Sequence, residues 1–83
     1  AATGYTDFDG LVWIPGGANT LETVVGWRPD GDNEQFSYRT EGTATTWAIV
    51  VQSMTDPNNW ARCEKNNGCC YSDNPAANIG ACP

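Results

Sequence analysis

Apolar positions along the chain come in short runs rich in Val, Ile, Thr and aromatics, each closed by Gly, Pro or acidic residues. Runs of this kind between turn residues have the composition of β-strands. The first covers residues 11–14 and ends at Pro15-Gly16-Gly17; the second covers residues 21–27 and stops at Pro29-Asp30-Gly31. The third, residues 35–40, alternates, with Phe36 and Tyr38 on one face and Gln35, Ser37 and Arg39 on the other, which is the mark of a half-buried strand. The fourth, residues 45–53, is apolar on both faces: Trp47, Ile49 and Val51 on one, Ala48 and Val50 on the other. That pattern predicts a central strand with something packed on each side.

The next stretch reads DPNNWARCEKNNG. Asp56 suits a helix cap, Pro57 the first helical position and Gly68 the left-handed residue beyond the end, so a short helix over residues 57–66 is expected. The same residues also read as a strand and turn holding Trp60 and Arg62, with Asn67-Gly68 as a hairpin turn. From Cys69 onward the chain reads as irregular loop, broken at Asn74-Pro75 and Gly80. The fold class expected is therefore α+β: mainly an antiparallel sheet of three or four strands, with one short helix and a disulfide-stapled C-terminal loop.

With 83 residues there is material for one domain and one thin core. The four cysteines are Cys63, Cys69, Cys70 and Cys82. Adjacent cysteines seldom bond to each other, which leaves Cys63–Cys69 with Cys70–Cys82, or Cys63–Cys70 with Cys69–Cys82. An even number in so short a chain favours disulfides and an oxidising compartment outside the cytoplasm. A first residue of Ala rather than Met, followed by a second Ala, is compatible with signal-peptidase processing or with an excised piece. The cysteines lack C-x-x-C spacing and the chain has no His, so no metal site is expected from them.

A net charge of -6, with only four basic residues, repels phosphate backbones and anionic lipid. No apolar run reaches the roughly 20 residues that span a bilayer. Without His, a Ser-His or Cys-His nucleophile cannot be built within these residues. The acid pairs Asp7 with Asp9 and Asp30 with Asp32 sit in Gly-containing turns of a chain too small for a deep glycosidase cleft, so no enzyme and no cofactor is expected. The segment DGDNE suggests a calcium loop, but Gln35 stands where an EF-hand needs Gly and no distal Glu follows; Asp30, Asp32 and Glu34 could offer only an irregular site. Trp13, Trp27, Trp47 and Trp60 each lie near an apolar run, where indoles serve as packing more often than as sugar platforms.

Taken together, VVGWRPDGDNEQFSYR and the following TTWAIVVQSM resemble the globular domain of type IV pilins and pseudopilins. The matching positions are Gly26, Trp27, Pro29, Asp30, Gly31, Phe36, Ser37 and Tyr38, and the resemblance covers residues 21–54 with support from 63–82. In that family a Gly-aromatic-x-Pro-acid-Gly turn joins two sheet strands, and a disulfide-bounded region closes the head. Two departures stand out: the long apolar helix with which pilins begin is not among these residues, and four cysteines replace the usual two. The resemblance implies a structural subunit, the globular head of an extracellular filament at the cell surface. Its partners would be neighbouring copies and a hydrophobic helical pilin segment, supplied by another subunit or by chain outside these residues. Trp47, Ile49, Val51, Ala48 and Val50 would form the docking strand. The competing expectation is a secreted binding protein: an effector, a carbohydrate-binding module, or an enzyme inhibitor presenting Trp27-Arg28-Pro29 on a hairpin tip.

Overall fold

A computed structural model describes residues 4–56 and 58–72, with Tyr71 and Ser72 described by their backbone. Five strands form one antiparallel sheet: β1 (Val12–Trp13), β2 (Phe36–Gly42), β3 (Trp47–Ser53), β4 (Trp60–Glu64) and β5 (Gly68–Ser72). Their order across the sheet is their order along the chain, so every pairing joins sequence neighbours.

The architecture corrects the α+β expectation. Among the described residues the only helical pieces are short 3-10 turns at Thr6–Phe8 and Gly31–Gln35 and a π-type turn at Leu21–Val25. Residues 57–66 do not form a helix, because Trp60–Glu64 pairs on both sides, with β3 and with β5. Asp56 does cap a turn, but a single one: its carboxylate accepts from the Asn58 N–H at 3.3 Å and from the Asn59 amide at 3.1 Å, and the chain reverses instead of winding on. The strand-and-turn alternative is the one adopted, with Glu64 paired to Gly68 across the loop Lys65-Asn66-Asn67. The irregular loop expected from Cys69 begins instead as β5, and its remainder lies outside the described residues.

The strand expected over residues 21–27 is likewise absent. Leu21 is the one buried side chain of that turn, while Val24 and Val25 are exposed. Gly26, at φ 78°, ends it by donating to the Glu22 carbonyl at 3.0 Å. The first expected strand shrinks to β1 at the sheet edge, where Thr20 substitutes for a neighbouring strand: its Oγ1 accepts from the Val12 N–H at 2.8 Å and donates to the Val12 carbonyl at 3.3 Å. The third and fourth expected strands hold as β2 and β3. They are joined by a four-residue loop in which Thr43 Oγ1 accepts from the Thr45 and Thr46 amides.

Register sorts the side chains onto two faces. One carries Trp13, Phe36, Tyr38, Thr40, Trp47, Ile49, Val51, Ala61 and the Cys63–Cys69 bridge; the other carries Val12, Ser37, Arg39, Glu41, Ala48, Val50, Gln52, Trp60, Arg62 and Glu64. The first face is apolar and the second is mixed. Buried apolar side chains among the described residues are Trp13, Leu21, Pro29, Ala48 and Val50, a core too small to hold the sheet without polar ties.

Candidate functional site

The apolar face is covered at its two ends and open between them. At one end the N-terminal segment crosses the β2–β3 hairpin: Tyr5 N–H donates to the Thr43 carbonyl at 2.8 Å, and the Gly42 N–H donates to Asp9 Oδ1 at 3.0 Å. The approach is so close that a Cβ on Gly42 would stand 1.9 Å from the Tyr5 carbonyl oxygen, so only glycine fits there. Thr40, in the adjacent layer, is 2% exposed; its Oγ1 accepts from the Leu11 N–H at 3.2 Å and donates to the Phe8 carbonyl, which pins the same segment.

At the other end residues 27–35 fold over β2. Trp27 meets Tyr38 edge to face at 5.0 Å, Tyr38 meets Trp13 at 6.3 Å, and the Tyr38 hydroxyl donates to the Asn33 carbonyl at 2.7 Å. Burial pushes the Tyr38 phenol above its ordinary value of 10.0, because the phenolate would lose water. Pro29 is buried, and the Arg28 guanidinium is held by Glu34 and, at 3.8 Å, by Glu22. The tripeptide Trp27-Arg28-Pro29 is thus folded against its own sheet and is not the tip of a hairpin.

Between these covers Trp47, Ile49 and Val51 remain half-buried, and open hollows flank them: one lined by Tyr5, Asp7, Phe8, Trp47 and Ile49, the other reaching Val51 from the Trp27 side. Ala48 and Val50, expected on the docking strand as well, are already covered within the chain, at 3% and 2% exposure on the opposite face. Arg62 on β4 reaches over β3 to Glu41 on β2, with Nη1 and Nη2 at 3.1 and 3.0 Å from the two carboxylate oxygens, and its Nε meets Glu64 at 2.6 Å. The bridge passes over Ala48 and Val50, whose small side chains leave room for it. The Glu41 hydrogen bonds and then those of Glu64 push the Arg62 value up, and burial opposes them. The two-sided apolar pattern of β3 therefore has two different covers, an ion lattice on one side and the half-open face on the other.

The acidic stretch is a 3-10 turn, with Glu34 committed to Arg28, and no group of three His, Cys, Asp or Glu side chains converges on a point among the described residues. Cys63 and Cys69 face each other across β4 and β5, with Cα atoms 3.9 Å apart, and form a disulfide, one of the two bonds in the first expected pairing. Cys70 is also disulfide-bonded, and Cys82 lies outside the described residues. Among the described residues no helix is long and apolar enough to cross a membrane.

The Arg62 lattice and the Thr40 pin are absent from the sequence reading. Arg62 carried a signal, a lone arginine in a strand-like WARCE, but its partners lie 21 and 2 positions away and only the register brings Glu41 to it. Thr40 closed an alternating run and gave no sign of its 32-residue reach to Phe8. Comparison with known family models, curated proteins and solved structures gives no match.

Proposed function

We propose that this domain is a non-catalytic structural subunit, the globular head of an extracellular type IV pilus-like filament, and that its half-open sheet face docks on a hydrophobic helical segment. The observation that carries the reading is the strip Trp47, Ile49 and Val51, half-exposed between two covers on an otherwise apolar face. A helix about 10 Å wide fits a sheet face of this kind, and burying the strip removes apolar surface from water at roughly 25 cal/mol per Å². The cross-strand disulfide suits an oxidising location, and it ties β5 to β4 at the edge of the sheet. On the opposite face Ala48 and Val50 are already buried beside the Arg62 lattice.

The test is direct imaging of material sheared from the surface of cells that make the protein, using gold-labelled antibody against this chain. Decoration along filaments is the expected result. Recovery of the chain solely as a free monomer in the medium would reject the filament role.

A further inference from the structure

We infer that the hollow at the Trp27 end of the sheet binds a neutral pyranose ring. It is an open depression of about 470 Å³, lined by Trp27, Pro29, Asp30, Asn33, Phe36 and Tyr38 among others. That volume lies in the range of small-molecule sites, which pair an apolar floor with a few placed polar groups. Trp27 is 42% exposed although it belongs to a braced aromatic group. Its contact with Tyr38 is near perpendicular, at 74°. Buried Pro29 and the Tyr38–Asn33 hydrogen bond fix the segment that carries it, so the ring is held before any ligand arrives.

The polar groups decide the ligand class. Asp30 and Asn33 are exposed at the hollow, and among the described residues neither side chain has a hydrogen bond or an ion pair. A carboxylate accepts from two neighbouring hydroxyls, while a carboxamide donates and accepts. Together with an indole face, whose negative quadrupole attracts polarised C–H groups, they match a ring that is apolar on one side and ringed by hydroxyls. An anionic sugar is disfavoured: Arg28, the cation at the hollow, is already neutralised by Glu34 and Glu22, and Asp30 would repel a second carboxylate. A purely apolar helix is disfavoured at this spot because it would strip water from Asp30 without replacing its hydrogen bonds. The site does not depend on the filament role, since a free monomer would bind the sugar equally.

The experiment follows the indole N–H signals of the whole 15N-labelled chain. The Trp27 signal is assigned by its loss in Trp27→Phe. The probes are methyl glucoside, methyl galactoside, methyl mannoside, N-acetylglucosamine and, as the anionic control, glucuronic acid. A saturable shift of the Trp27 signal with at least one neutral sugar, at a dissociation constant of about 1–10 mM, is expected. Asp30→Ala and Asn33→Ala should each weaken binding about tenfold, and Trp27→Ala, followed by the backbone amide signals of residues 30–38 that the sugar shifts in the natural chain, should abolish it. No saturable shift with any neutral sugar, equal binding by Trp27→Ala, or binding of glucuronic acid alone would overturn the inference.

Discussion

A buried hydroxyl stabilises a fold only when its donor and its acceptor capacity are both used, and Thr40 uses both. Thr40→Val keeps the shape but strands the Leu11 N–H and the Phe8 carbonyl. The expected loss is about 1–3 kcal/mol in urea-induced unfolding, with Thr40→Ser recovering part of it. Tyr38 sets a different limit. Its folded-state value lies above 10.0, so the folded form holds a proton that the unfolded form releases first. Stability from this group is complete below pH 10.0 and falls as pH rises through the unfolded value toward the folded one. Melting temperatures measured between pH 8 and about 11 should therefore drop more steeply for the natural chain than for Tyr38→Phe. An unchanged slope in the variant would show that another group governs alkaline unfolding.

Among the elements, β3 was the most legible from sequence, because two apolar faces require a central position whatever the topology. β4 was the least settled, since Asp56 and Gly68 serve a helix and a hairpin equally well and only pairing with β3 and β5 decides between them. The run at residues 21–27 misled for a related reason: Val24, Val25 and Trp27 have strand composition, but no neighbouring strand receives them and Gly26 closes the helical turn first. Of the candidate site, the apolar strip was visible and its charged counterpart was not, because Arg62 and Glu41 meet only through register. The lattice joins β2 to β4 across β3, so its loss is felt at the level of the sheet. Arg62→Met should cost about 1–3 kcal/mol, between the values for exposed and buried pairs, because Glu41 is partly solvated while Glu64 is not. Replacing Glu41 and Glu64 by Leu in the same chain should restore much of that loss in thermal unfolding. Failure to restore it would mean that the lattice positions the strands beyond its charge balance.

At the scale of the whole molecule, a thin core is divided between two unlike surfaces, one laced by ions and one held open between an N-terminal cover and an aromatic one. The open surface holds two hollows, one lined by Trp47 and Ile49 toward the N-terminal cover and the other by Trp27 and Asn33 toward the aromatic one, with Val51 lining the second. The strand order, identical to the chain order, also dictates a history. The links from β2 to β3, β3 to β4 and β4 to β5 are short, whereas β1 and β2 are separated by 22 residues. Closing a longer loop is slower and entropically dearer. Pulse-labelled hydrogen exchange during refolding should find the amides of β2, β3 and β4 protected first and those of Val12 and Tyr5 last. The central strand β3 is then paired on both sides before either cover of its apolar face arrives, leaving an interval in which Trp47 and Ile49 stand unobstructed.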